Sequence, residues 1–103
     1  MTGLLIELKR EDNATVFVLS GRLDTLNAPG FAQKVESDLV SSDKVIFDLT
    51  NIEYIASSGL REFLTICKKA QTSNTEVVLK GLNSDVKEVF DVTGFSQFFN
   101  IED

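Results

Sequence analysis

Histidine is absent from this 103-residue chain, cysteine and proline occur once each, and no apolar run approaches about 18 residues. Without histidine the usual general base, the usual partner of a nucleophilic serine and the commonest neutral metal ligand are all missing, which disfavours most hydrolase chemistry. A single cysteine cannot form an internal disulfide. With 43% hydrophobic residues, however, a chain of this length can build a core without metal or disulfide support. Basic residues are also in deficit. Ten Lys and Arg face sixteen Asp and Glu, and the resulting net charge of -6 repels phosphate backbones, so no nucleic-acid partner is expected. The opening stretch MTGLLIELKREDN has neither a basic leader nor a long apolar segment, so a cytoplasmic location and no membrane association are expected. No glycine-rich G-x-x-x-x-G-K-[ST] phosphate loop occurs. The triplet Asn13-Ala14-Thr15 would matter only on a secreted protein and is discounted.

What is present is a regular alternation of apolar patterns, without linker, repeat or low-complexity segment, and one domain over residues 1–103 is expected. GLLIELK (3–9) and ATVFVLS (14–20) are rich in apolar and β-branched residues around the polar turn REDN, and read as an antiparallel hairpin. After Gly21, GRLDTLNAPG reads as a loop that enters a helix, with Pro29 in its first turn and Asn27 or Thr25 as cap. Phe31, Ala32, Val35 and Leu39 recur at helical spacing on a segment reaching roughly Val40. DKVIFDL (43–49) is a continuous apolar run of the kind found in strands buried on both faces. Leu60, Phe63, Leu64, Cys67 and Ala70 then share one face of a helix ending near Gln71. That pattern makes Cys67 an inert core residue rather than a redox centre. TEVVLK (75–80) reads as a strand, and NSDVKEVFDVTGF as a helix capped by Asn83, ended by Gly94 and lined inside by Val86, Val89, Phe90 and Thr93. A short last strand through Phe98, Phe99 and Ile101 completes the order β-β-α-β-α-β-α(-β). The fold class is therefore α/β, with a mixed, mostly parallel sheet of four to five strands and about three helices.

The adjacent serines in YIASSGLREFL (54–64) stand where a strand meets a helix. One reading is purely local: Ser57 or Ser58 caps a helix beginning near Leu60 and satisfies an orphan N–H. A second compares Ile55-Ala56-Ser57-Ser58-Gly59 with the nucleophile elbow G-x-S-x-G. Ile55 stands where the first glycine should be, and only a lysine base could replace the missing histidine, leaving a small Ser/Lys hydrolase as the enzymatic alternative. A third reading uses the helix dipole, since a serine hydroxyl at a helix N-terminus is exposed where added negative charge is tolerated, and can accept phosphate without unfolding its domain.

GRLDTLNA (21–28), VIFDLTNIEYIASSGLREFL (45–64) and NSDVKEVFDVTGF (83–95), in this order and spacing over nearly the whole chain, resemble a STAS domain of the anti-sigma factor antagonist family. The resemblance implies a compact, non-catalytic α/β domain that binds an anti-sigma factor which is also a serine kinase, and thereby frees a sigma factor. It implies that Ser57, first serine of the family's D-S-S-G stretch, is the phosphoacceptor, and that Ser58 and Gly59 match the rest of the motif. Ala56 departs from the family's aspartate. Asp24 falls on the family's acidic residue beside the phosphoacceptor; on local grounds alone a solvated loop aspartate in an Asx turn is the simpler reading, and the motif match reverses it. Thr25 completes the candidate docking site, and Arg61, on the first exposed turn after the serines, reads as a solvated helix face or a rim contact. The resemblance further implies that the partner kinase supplies ATP and Mg²⁺, that a serine phosphatase reverses the modification, and that this chain needs no cofactor or metal of its own. A STAS scaffold subunit in a stress-sensing or membrane-associated complex is the alternative within the binding class.

Overall fold

Residues 3–38 and 43–102 are described by the structure, a computed structural model, with the side chains of Asp38 and Phe98 left aside. The expected extension of the first helix through Leu39 to Val40 lies outside these residues.

Strand β1 (Leu4–Glu11) and strand β2 (Ala14–Leu23) form the antiparallel hairpin, each longer than its apolar run. Asp12 makes the turn with φ of 50°, a left-handed conformation that aspartate tolerates. Helix α1 (Ala28–Asp38), strand β3 (Lys44–Ile55), helix α2 (Ser57–Thr72), strand β4 (Glu76–Lys80), helix α3 (Ser84–Val92) and strand β5 (Asn100–Glu102) follow in turn. The sheet order is the chain order, β1-β2-β3-β4-β5, and every pair after the hairpin is parallel. Right-handed crossovers between neighbouring strands running the same way place all three helices on one face.

That arrangement corrects one expectation. β3 is not buried on both faces: Val45, Phe47 and Leu49 are buried beneath the helices, while Lys44, Ile46 and Asp48 between them are only half-buried on the other face. Among the described residues no helix crosses that second face. Its rows mix apolar and charged side chains, with Val16, Ile46 and Val78 side by side and Asp48 beside Lys80 in the pairing.

The helical face is held by phenylalanines. Phe63 of α2 contacts Phe31, Phe47, Phe90 and Phe99 with ring centroids 5.1–6.3 Å apart, and Phe17 stacks on Phe47 at 5.4 Å. One ring thus joins α1, β3, α3 and the chain's last segment. Each such fully buried side chain contributes about 1.5–3 kcal/mol from burial, with tilted and edge-on ring pairs adding about 0.5–1.5 kcal/mol. On α2 the buried set is Gly59, Leu60, Phe63, Ile66, Cys67 and Ala70, so Ile66 joins the expected stripe and Leu64 is only half-buried. Burial pushes the Cys67 thiol above its usual range, in keeping with an inert core role.

Two further corrections concern the C-terminal third. α3 buries Val86 and Phe90, but Val89 and Thr93 are exposed; the Thr93 hydroxyl donates to the carbonyls of Val89 and Phe90 at the helix end. Phe95–Phe98 forms a 3₁₀ turn after Gly94 (φ 80°), so the last strand starts only at Asn100, with Phe99 buried and Ile101 packed on the core. Asn83 caps α3 as expected, its Oδ1 accepting from the Val86 N–H at 2.8 Å. Its Nδ2 also donates to the Ile52 carbonyl at 3.0 Å, fastening α3 to β3.

Candidate functional site

Two turns meet at the carboxyl ends of β2 and β3. The first begins where β3 stops. Ala56 is extended (φ -77°, ψ 164°), its N–H donates to the Leu23 carbonyl at 2.8 Å, and its own carbonyl accepts the first helical bond of α2 from Leu60. Ala56 is therefore the N-cap residue, and it has no side-chain acceptor to offer. Ser57, Ser58 and Gly59 are the first three helical residues, their N–H groups part of the set a helix leaves unsatisfied at its start. The local expectation that one serine caps this helix is overturned, because α2 begins three residues earlier than its apolar stripe.

Within this turn the two hydroxyls differ. Ser57 is exposed, whereas Ser58 is half-buried and its Oγ donates to Thr25 Oγ1 at 3.3 Å. Gly59 is buried because α2 passes almost on top of β2: a Cβ there would stand 2.8 Å from Cγ and Cδ2 of Leu23 and 3.1 Å from Ile55 Cγ2. Overpacking of this kind costs about 1–3 kcal/mol, against at most about 1 kcal/mol gained in helix propensity. Gly59→Ala is thus expected to lower stability by up to about 2 kcal/mol in urea titration.

The second turn, residues 24–27, leads into α1. Asp24 Oδ1 accepts from the N–H groups of Leu26 and Asn27, both at 3.0 Å, while Asn27 Oδ1 accepts from the Asp24 N–H at 2.9 Å. This is the reciprocal capping arrangement, and the Asp24 carbonyl accepts from Ala28 to start the helical ladder. Asn27 Nδ2 donates to the Arg22 carbonyl at 2.9 Å, which pins the turn to β2. The capping role expected of Asn27 or Thr25 therefore falls to Asp24 with Asn27 as its counterpart. Thr25 faces α2 instead, through Ser58.

The Ser58–Thr25 and Ala56–Leu23 bonds bring the turn that carries Asp24 and Thr25 up to the start of α2, where Ala56, Ser57 and Ser58 reach the surface and Gly59 is buried beneath them. Arg61 is exposed four residues after Ser57, on the same side of α2. Leu26, at 92% exposure on the rigid 24–27 turn, was not anticipated; an apolar residue set between two capping residues was its only sequence signal. Leu23, buried against Gly59, was likewise missed, and nothing in the sequence marks that contact. On the opposite sheet face the strand ends carry Arg22 over the Tyr54 ring at 4.4 Å, a cation–π contact.

Away from this region, burial tends to raise the Asp48 carboxyl, but hydrogen bonds from the Thr50 hydroxyl (2.6 Å) and N–H (3.1 Å), together with Lys80 and Lys9, hold it below the usual carboxylate range. Among the described residues no three His, Cys, Asp or Glu side chains converge as a metal cage, and no helix is long and apolar enough to cross a membrane.

The missing cap gives a direct expectation. Ala56→Asp places an acceptor beside the N–H groups of Ser58 and Gly59, at the positive end of the helix dipole, and should stabilise the fold by about 1 kcal/mol in thermal or urea unfolding.

Comparison with known proteins shows a family match over residues 6–103, to the STAS domain. The chain is 30% identical to the anti-sigma-B factor antagonist of Listeria monocytogenes over 102 residues, covering 97% of this chain and 90% of that protein. Among solved structures, an anti-sigma factor antagonist from Mycobacterium paratuberculosis superposes with a TM-score of 0.87 at 19% identity, over 96% of this chain and 85% of the other. The Bacillus cell fate determinant SpoIIAA in its phosphorylated form superposes at 0.75 and 16% identity, over 96% and 92%. These two likenesses establish a shared fold.

Proposed function

From the premise that the chain belongs to the STAS domain family, we propose that it is an anti-sigma factor antagonist switched by phosphorylation of Ser57. The full-length similarity to the Listeria antagonist supports the class of partner. One structural observation carries the switch: Ser57 is an exposed hydroxyl on the first residue of a helix that has no side-chain cap.

The unphosphorylated surface formed by the 24–27 turn and the start of α2 docks on an anti-sigma factor, and docking frees the sigma factor. That partner is also a serine kinase. It brings ATP and Mg²⁺, and transfers phosphate to the Ser57 hydroxyl; a serine phosphatase later removes it. This chain contributes the acceptor and its placement rather than catalysis. Ser58, tied to Thr25, holds the two turns together, Gly59 lets α2 approach β2, and Arg61 stands at the rim.

Phosphate adds about 1.5–2 negative charges and three acceptor oxygens. The free protein tolerates them, because unsatisfied N–H groups and the helix dipole favour an anion there, and Arg61 lies one turn away. A docked partner does not, since the same charge would have to be desolvated against it beside Asp24.

Competition binding tests the antagonist role itself. Added to a complex of anti-sigma factor and labelled sigma factor, the unphosphorylated protein should displace the sigma factor in a saturable manner. A complex unaffected by excess protein would reject it.

A further inference from the structure

We propose that β1, one of the two edge strands of the sheet, pairs antiparallel with the β1 of a second copy about a two-fold axis through Leu8. The inference does not depend on the antagonist reading, since β1 lies on the far side of β2 from Ser57.

The backbone fixes which residues face outward. The Gly3 carbonyl accepts from the Arg22 N–H at 3.0 Å, so Gly3 directs its polar groups to β2. Alternation along an antiparallel strand then turns Leu5, Glu7 and Lys9 toward β2, and leaves the N–H and C=O groups of Leu4, Ile6, Leu8 and Arg10 pointing outward. The β1–β2 register is unbroken from Leu4 to Glu11, with no bulge and no proline to spoil this edge.

Charged residues on an edge commonly discourage pairing. Here they select one register. Outward-facing residues must be matched with outward-facing residues, which leaves few two-fold arrangements with substantial overlap. An axis through residue 7 sets Glu7 against Glu7. An axis through residue 9 sets Lys9 against Lys9 and Glu7 against Glu11. An axis through Ile6 makes no charge pair at all. Only the axis through Leu8 sets Glu7 of each copy opposite Lys9 of the other, twice, at the closely spaced type of position where side chains interact most. It also sets the partly exposed Leu8 (39%) against its own counterpart on the helical side of the sheet, and Ile6 against the stem of Arg10. The occupant that fits this edge is thus a second copy of this chain, and the product is a ten-stranded continuous sheet built from two five-stranded ones.

Charge exchange tests the register. Sedimentation velocity of the full chain, from micromolar to millimolar, should show a reversible monomer–dimer equilibrium for the wild type. Glu7→Lys and Lys9→Glu should each remain monomeric. Mixed in equal amounts, the two variants should recover the dimer, because each then presents opposite charges to the other. Lys9 also acts on Asp48, so circular dichroism melts of both variants confirm the fold. Independently, with Cys67→Ser to remove the native thiol, Leu8→Cys should oxidise to a disulfide-linked dimer and Ile6→Cys should not. A wild type monomeric throughout, a mixture no more associated than its components, or equal cross-linking at residues 6 and 8 would overturn the proposal.

Discussion

Ser57→Asp is expected to lose about a hundredfold or more in affinity for the anti-sigma factor, whereas Ser57→Ala binds as well as the unphosphorylated protein and can no longer be switched off. A hundredfold loss corresponds to about 2.7 kcal/mol. The available electrostatics are large enough to supply it. Two like charges about 6 Å apart at an effective dielectric near 20 repel by roughly 3 kcal/mol before salt screening, and desolvation at a docked interface adds to this. The fold should not suffer, because residue 57 is exposed at the uncapped, positive end of α2. Isothermal titration of both variants against the same partner measures the difference, and unfolding curves of the two should coincide within about 0.5 kcal/mol. Raising the salt concentration should narrow the affinity gap, as expected of a charge effect.

The largest effect on stability is expected at Phe63. Its ring touches four other phenylalanines, and Phe63→Ala removes contacts to α1, β3, α3 and the last segment at once. Truncations of this kind cost about 3–5 kcal/mol, a large share of the roughly 5–15 kcal/mol that a domain of this size possesses. Urea unfolding followed by circular dichroism should show the midpoint falling steeply. Phe63→Leu, which keeps most of the volume, should lose much less. Because Phe63 sits six residues after Ser57 on the same helix, its loss should also weaken partner binding by loosening the start of α2. Phe17, which stacks on Phe47 from the hairpin side, should affect stability without that second consequence.

The elements most legible in the sequence were those whose apolar spacing is set by burial against the core. The stripe Leu60, Phe63, Cys67 and Ala70 identified α2, and Asn83 with Gly94 marked both ends of α3, because cap chemistry is local. The ends of β2 and β3 were less legible. Both strands run on as far as Leu23 and Ile55 beyond their apolar runs, through a pairing with register shifts at Ser20 and Arg22 that no periodicity reveals. The helix-free outer face of the sheet was missed for a topological reason: the continuous apolar run DKVIFDL resembles a doubly buried strand, but consecutive right-handed crossovers put every helix on the other face and leave Ile46 half-buried between Val16 and Val78.

At the site, the positions of Ser57, Ser58, Gly59 and Asp24 followed from the family resemblance, and the structure brings their turns together through Thr25 and the Leu23–Ala56 bond. What the sequence did not disclose was how each is used locally. The start of α2 is not marked by an apolar residue, so the serines read as caps when they are the first helical residues. Asp24 reads either as a partner contact or as an Asx turn; one of its carboxylate oxygens is engaged by its own turn, and the other faces away from those bonds, where it can meet a docking partner and repel a phosphate. The departure at Ala56 has a physical consequence that a motif comparison cannot supply, namely a helix whose first N–H groups have no side-chain acceptor.

Phosphosite mapping with partner release tests the switch most directly. The protein is incubated with its anti-sigma factor kinase, ATP and Mg²⁺, the modified residue is located by mass spectrometry, and complex formation is measured before and after. One phosphate on Ser57 and loss of the complex, with an unchanged circular dichroism spectrum, is the predicted result; phosphate on another residue, or a complex that survives stoichiometric phosphorylation of Ser57, would contradict it.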